Sequence, residues 1–102
     1  MTVYISGGIT NDPDHMRKFE RAERLLTEKK GCKVFNPAKI AKAMPKLPSH
    51  EDYMEFSFME LGYCDAVYFL QGWQKSCGAS QERGWAIAMD KIIIDEEEED
   101  YE

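Results

Sequence analysis

The sequence predicts a single-domain α/β fold, an open parallel sheet of Rossmann or flavodoxin type with strand order 2-1-3-4 and flanking helices. Four short apolar runs alternate with segments of helical periodicity, and 102 residues suffice for one core. Such alternation indicates parallel strands joined by right-handed crossovers. In this order the carboxyl ends of strands one and three border a crevice, the usual ligand position in doubly wound sheets.

The predicted strands cover residues 2–6, 33–36, 66–70 and 91–94. A first helix begins after the capping side chains Asn11 and Asp12 and ends near Gly31. Residues 37–48 hold three prolines and are predicted to form a loop and candidate lid. The second and third helices are expected at 51–62 and from residue 79 onward.

The second helix is apolar on more than one face. Phe56, Phe58, Met59 and Leu61 cannot all be covered by so small a monomer. We therefore expect a homo-oligomer, a dimer or larger.

Composition limits the function classes. A formal net charge of −6 argues against a nucleic-acid partner, and the absence of a long apolar stretch argues against a membrane. Cys32, Cys64 and Cys77 lack disulfide or metal-ligand spacing, so we predict reduced thiols, a cytoplasmic protein and no bound metal. The predicted domain spans 1–95, and residues 96–102 are predicted to be a solvated acidic tail.

One carboxylate falls on an otherwise apolar helical stripe, formed by Ala79, Glu82, Ala86 and Met89. A buried carboxylate needs a hydrogen-bond or charge partner, and free N–H groups in a first helical turn are one source. Glu82 at the crevice is therefore a candidate nucleophile. Pairing with Arg83 or Lys75 is the alternative explanation.

Other residues at the crevice allow two interpretations each. Gly7-Gly8 forms either a plain turn or a close backbone approach to a sugar, and no dinucleotide or Walker motif is present. Ser76 to Gly78 is either a helix cap or a phosphate cradle. Tyr4 is either a core residue or a group that orients Glu82, and Trp73 either packs or stacks on a base.

These residues resemble the nucleoside 2-deoxyribosyltransferase superfamily, particularly its short uncharacterised relatives, and are similar also to nucleotide 5′-monophosphate N-glycosidases. The matching segments span nearly the whole chain and are 4–9, 34–37, 64–70, Gly72-Trp73, Ser76, Gly78-Ala79, Glu82 and Ala86.

The resemblance implies N-glycosidic cleavage or base transfer on a (deoxy)nucleoside or its 5′-monophosphate. Glu82 matches the nucleophile, and Tyr4 matches the tyrosine that orients it. It implies no cofactor, and a neighbouring subunit that helps complete each site. The implied substrate-binding positions are Ser6, Gly7, Gly8, Ile9, Ser57, Gly72, Trp73, Ser76 and Gly78.

Three positions modify this expectation. Serine at position 76 is typical of the relatives that hydrolyse monophosphates, whereas those hydrolases carry arginine where this chain has Thr10. Ser57 replaces an aspartate that assists the leaving base, and Glu55 or Glu60 is a possible substitute. A non-catalytic nucleotide-binding protein is therefore the alternative function, and a pure assembly module is a third.

Overall fold

The computed structural model describes residues 1–9, 12–39 and 50–97. Most of the predicted lid, Thr10, Asn11 and the end of the acidic tail lie outside these ranges. The first residues of the predicted lid, 37–39, are helical. No helix within the described ranges is long and apolar enough to cross a membrane.

Four parallel strands form one sheet in the order β2-β1-β3-β4, which confirms the predicted fold class. The strands are β1 (Thr2–Ser6), β2 (Lys33–Phe35), β3 (Ala66–Phe69) and β4 (Ile92–Asp95). The helices are α1 (His15–Arg24), which continues as a π-helical turn over Leu25–Lys29, α2 (His50–Gly62) and α3 (Cys77–Ala88). A 3₁₀ turn covers Trp73–Lys75.

Alternation along β1 divides the core between the two faces of the sheet, because successive side chains of a strand point to opposite sides. Val3 and Ile5 pack with Phe19, Ala22 and Leu26 of the first helix and its π-helical turn. Tyr4 faces the other way, into a cluster with Leu61 of α2 and Ala86 of α3. The β1 side chains at even positions therefore point toward α2 and α3.

The third helix begins two residues earlier than predicted. Ser76 is its N-cap, and the Ser76 hydroxyl oxygen accepts a hydrogen bond from the Ala79 N–H at 3.1 Å. At the other end Met89 is 55% exposed, so its place on the apolar stripe was wrong. The helix ends at Ala88 and Met89 is its C-cap, so the Met89 side chain does not continue the buried stripe.

The predicted solvated tail was wrong at its first residue. Glu96 is only 6% exposed, and its N–H donates to the Phe69 carbonyl at 2.9 Å, which continues the sheet. The Glu96 Oε1 accepts the Gln71 N–H at 3.0 Å, and its Oε2 lies 3.6 Å from Nη2 of Arg21. The segment after β4 is thus attached to the turn that follows β3.

The second helix has both buried and exposed apolar side chains. Met54 and Leu61 are buried, and Phe58 stacks on Trp85 of α3 at 5.7 Å between ring centroids. Met59 remains 62% exposed, and Tyr63, just after the helix, is 80% exposed. The homo-oligomer stays a prediction.

Candidate active site

The Glu82 carboxylate is buried between α3 and the end of β1, and its residue is 5% exposed. Its Oε2 accepts a hydrogen bond from the Tyr4 hydroxyl at 2.6 Å, and its Oε1 accepts one from the Ser6 hydroxyl at 2.7 Å. Tyr4 and Ser6 are two positions apart on one strand, so the same face of β1 presents both donors. Neutral hydroxyls hold the carboxylate at both oxygens.

The first-turn explanation for Glu82 was wrong. Because α3 begins at Cys77, Glu82 lies in the second turn, beyond the free N–H groups of the helix end. The strand β1 supplies its hydrogen-bond partners instead. Tyr4 and Ser6 reach Glu82 because side chains alternate along β1 and those at even positions point toward α3.

Neither cation suggested as a partner neutralises Glu82 in the described structure. Arg83 donates to Asp95 through Nη1 and Nη2 of its guanidinium, at 2.6 and 3.2 Å. It also lies over the rings of Phe69 and Trp73, at 4.8 and 4.3 Å from their centroids. Lys75 lies on the wall of the adjacent cavity and forms no described ion pair with Glu82.

Burial raises the pKa of Glu82 above its ordinary value, because desolvation disfavours the charged form. Hydrogen bonds from Tyr4, Ser6 and Ser57 act in the opposite direction, since they stabilise the carboxylate. The pKa of Tyr4 is raised well above its usual range by burial and by the Glu82 charge. Tyr4 is therefore a hydrogen-bond donor to Glu82 at neutral pH.

Ser57 lies at this carboxylate, where the resemblance places an aspartate. It is 2% exposed, and its hydroxyl lowers the pKa of Glu82, Tyr4 and Tyr53. The two glutamates that were possible substitutes for the missing acid lie elsewhere: Glu55 is exposed and Glu60 is half-buried near Cys64.

A cavity of about 690 Å³ opens beside Glu82, within the usual size range of small-molecule sites. Its walls come from the turn after β1, the segment between β3 and α3, and α2. Six of the predicted substrate-binding residues line this cavity with Glu82: Gly7, Gly8, Ile9, Gly72, Ser76 and Gly78.

The two glycines after β1 differ in their surroundings. A Cβ on Gly7 would lie 2.7 Å from Cδ1 of Leu70, so Gly7 permits a close approach of β1 to the chain after β3. A Cβ on Gly8 would meet Ser76 at an ordinary 3.7 Å. Close approach at Gly7 is therefore explained within the protein itself.

The remaining predicted positions do not line the cavity. Ser6 is 1% exposed with its hydroxyl directed to Glu82, and Ser57 is 2% exposed. Trp73 is half-buried, and its ring packs against Phe69 and Arg83. Substrate contact by these three residues stays a prediction.

Several residues of the cavity wall are not among the predicted site residues. Tyr53 is one turn before Ser57 on α2, a spacing that could have identified it. Asp12 and Lys18 also line the cavity, and Lys18 Nζ lies 2.6 Å from Oδ2 of Asp12. Within the described ranges, no group of three or more His, Cys, Asp or Glu side chains could hold a metal ion.

The fold and site define a parallel α/β domain with a buried carboxylate at the switch point of its sheet. The chain belongs to the family described as a domain of unknown function, DUF4406, whose model matches residues 1–95. A comparison with curated proteins found no significant match.

Among solved structures, the chain is similar to the CMP N-glycosidase BcmB of Clostridium botulinum. The two are 24% identical, the TM-score is 0.61, and the similarity covers 93% of this chain and 67% of BcmB. At this identity the likeness shows a shared fold.

Proposed function

We propose that this protein cleaves the N-glycosidic bond of a (deoxy)nucleoside or nucleoside 5′-monophosphate, or transfers its base, with Glu82 as nucleophile. The observation that carries the proposal is the Glu82 carboxylate, buried, unpaired with any described cation and held by two hydroxyls at the wall of a ligand-sized cavity. A carboxylate placed only for stability is normally paired with a cation.

The chemistry follows from the placement of the carboxylate. One Glu82 oxygen attacks the anomeric carbon while the C–N bond breaks and its electron pair leaves with the base, which takes up a proton from solvent. Tyr4 and Ser6 keep the carboxylate in the attacking orientation, so little conformational freedom is lost in the transition state. The product is a sugar ester of Glu82 and a free base.

A second displacement releases the sugar. Water attacking the same carbon completes hydrolysis and passes a proton to the surroundings, whereas a second base completes transfer. The Glu82–sugar bond breaks, and the carboxylate is restored. Whether water or a base enters the cavity decides between the two outcomes.

A 5′-phosphorylated substrate is supported by two side chains of the cavity wall. Lys75 lies there and has no described ion pair, whereas Lys18 is paired with Asp12. The Ser76 hydroxyl accepts the Ala79 N–H through its oxygen, so its own proton remains available to a phosphate oxygen. Fold similarity to an enzyme named for CMP supports the same substrate class.

The alternative function is nucleotide binding without cleavage, and Ser57 favours it. Protonation of the leaving base by a carboxylic acid contributes about 100- to 10,000-fold to such reactions. At the buried position beside Glu82 the chain has a hydroxyl instead.

The test is incubation with a panel of ribo- and deoxynucleosides and their 5′-monophosphates, with and without an acceptor base, followed by chromatography of free base. We expect release by the wild type and loss of release in Glu82→Gln. The control Glu55→Gln changes an exposed glutamate of α2 and should retain wild-type release.

Intact-protein mass spectrometry after acid quenching should detect a sugar adduct on the wild type and none on Glu82→Gln. Tight nucleotide binding without release or adduct would establish the alternative function. An oligomer that binds none of the compounds would contradict both.

A further inference from the structure

Resting on the proposed function, we propose that Asp95 and Glu96, at the carboxyl end of β4, position the cavity wall for the 5′-phosphate of the substrate. They act on residues 71–76, the wall segment, which joins β3 to α3. Both are positioning residues, since the cavity is lined by the segment that they contact and not by their own side chains.

The wall segment carries the two groups of the cavity that suit a phosphate. Lys75 supplies a cation, and the Ser76 hydroxyl keeps its proton for a ligand because its oxygen accepts the Ala79 N–H at 3.1 Å. Gln71 and Gly72 line the same cavity. The placement of this one segment therefore decides where a phosphate can bind.

The backbone of the wall segment is irregular. Gly72 has φ +85°, and the 3₁₀ turn Trp73–Lys75 follows it. The backbone N–H groups of Trp73, Lys75 and Ser76 each donate to the carbonyl three positions earlier. Such local bonds shape a turn but do not fix it against the sheet, so contacts from other elements determine where the turn lies.

Glu96 holds the start of the wall segment. Its Oε1 accepts the Gln71 N–H at 3.0 Å, and its carbonyl oxygen accepts the Gln71 side-chain amide at 3.4 Å. Glu96 is itself fixed, because its N–H donates to the Phe69 carbonyl at 2.9 Å and its Oε2 lies 3.6 Å from Nη2 of Arg21. One buried residue thus ties Gln71 to both β3 and α1.

Asp95 holds the middle of the wall segment through Arg83. Its two carboxylate oxygens accept from Nη1 and Nη2 of Arg83 at 2.6 and 3.2 Å. The same guanidinium lies 4.3 Å from the centroid of the Trp73 ring, a cation–π distance. A bidentate ion pair fixes the plane of the guanidinium, so Asp95 fixes the surface on which Trp73 rests.

Two consecutive residues therefore anchor the wall segment at Gln71 and Trp73, just before its phosphate-binding groups. Without either anchor, the segment would populate conformations in which Lys75 and Ser76 do not converge on a phosphate. The apparent affinity then falls in proportion to the fraction of molecules in the binding conformation. Glu82 keeps its hydrogen bonds from β1 in either case, so binding of the nucleoside part should be preserved.

The first test is isothermal titration calorimetry in the Glu82→Gln background, which removes turnover. The ligands are ribo- and deoxynucleoside 5′-monophosphates and the matching nucleosides. Glu96→Ala and Asp95→Ala should each weaken monophosphate binding by about tenfold, the loss expected for one hydrogen bond to a charged group. Both should leave nucleoside binding unchanged. Asp95 is half-exposed in its ion pair, so Asp95→Ala keeps the test decisive if Glu96→Ala does not fold.

Two control variants separate positioning from a general loss of stability. Leu26→Ala leaves a cavity in the core on the α1 side of the sheet and lowers stability away from the wall segment. Glu20→Ala changes an exposed side chain of α1. Both should keep the wild-type ratio of monophosphate to nucleoside affinity. A Leu26→Ala variant with the same altered ratio as Asp95→Ala would overturn the positioning role.

The second test is hydrogen exchange of the wall segment, measured by mass spectrometry. Without ligand, the amides of residues 71–76 should exchange faster in Asp95→Ala and Glu96→Ala than in the wild type. A saturating monophosphate should slow them again, because bound ligand selects the ordered conformation. Exchange at the wild-type rate in both variants would overturn the proposal.

The outcomes also separate this proposal from the proposed function. Nucleotide binding without base release by the wild type would overturn the cleavage, and calorimetry would still decide the roles of Asp95 and Glu96. Base release with unchanged monophosphate affinity in both variants would overturn those roles alone. A wild type that binds none of the ligands would overturn both.

Discussion

The Tyr4 hydroxyl lies 2.6 Å from Oε2 of Glu82, although 78 positions separate the two residues in sequence. The contact joins β1 to α3 across the sheet surface, and it lies where the carboxyl ends of β1 and β3 border the cavity. Tyr4 is buried and donates to the carboxylate, so it acts on Glu82 from within the core.

The first prediction concerns Tyr4→Phe. The Tyr4 hydrogen bond lowers the pKa of Glu82, so its removal should raise that pKa further and move the acid limb of base release to higher pH. A hydrogen bond to a charged group contributes about 1.5–3 kcal/mol, which corresponds to a rate loss of about 10- to 100-fold at neutral pH. The measurement is a pH–rate profile, and an unshifted acid limb would contradict the role given to Tyr4.

The second prediction concerns the stability of Glu82→Gln. Because the folded-state pKa of Glu82 is raised above 4.5, the folded chain binds this proton more tightly than the unfolded chain does. The contribution to stability is fully present below the unfolded value and is lost as the pH rises through the folded value. Glu82→Gln should therefore have a higher Tm than the wild type at pH 7–8.

Thermal unfolding at several pH values tests this second prediction. The difference in Tm should shrink as the pH falls below 4.5, where the carboxyl becomes neutral in both states. Glu55→Gln, on an exposed residue, should unfold like the wild type throughout. A Glu82→Gln variant less stable than the wild type at neutral pH would show that the carboxylate stabilises the fold.

The third prediction concerns Ser57→Asp. An aspartic acid at this buried position would add the proton donor that the chain lacks, and we expect base release to increase by at least about tenfold. The second carboxyl would also raise the pKa of Glu82, so the optimum should move to higher pH. Ser57→Asn is the control, because asparagine has nearly the same shape as aspartic acid but cannot donate an acidic proton. It should not increase base release.

The fourth prediction concerns Glu96→Ala. The variant leaves the Arg21 guanidinium without this carboxylate and the Gln71 N–H without its acceptor. Removing one partner of a buried ion pair costs about 3–5 kcal/mol, which urea unfolding would measure. Glu20→Ala, on the exposed face of α1, is the control. Equal free energies of unfolding for the wild type and Glu96→Ala would show that Glu96 does not stabilise the fold.

The sheet could be predicted because its signals are local. The four apolar runs and the helical segments between them determined the parallel order, and Gly31, at φ +66°, ends the first helical segment as expected. The inward position of Glu82 also followed from helical spacing, since Ala79, Glu82 and Ala86 are all buried.

The partners of Glu82 were harder to predict because they depend on packing between elements distant in sequence. Helical spacing places a carboxylate on a face but does not show whether Arg83 turns toward Glu82 or toward Asp95. The burial of Glu96 was missed for a similar reason. Its position in a run of acidic residues indicated solvent, whereas strand pairing with β3 places it beside Arg21.

The pairing of Arg83 with Asp95 leaves the Glu82 site with an anion and only neutral donors around it among the described side chains. In the proposed reaction that anion becomes an uncharged ester, so the desolvation penalty of the free carboxylate is relieved when the covalent intermediate forms. The apolar surroundings that make Glu82 reluctant to ionise would thus make the glycosyl-enzyme comparatively long-lived.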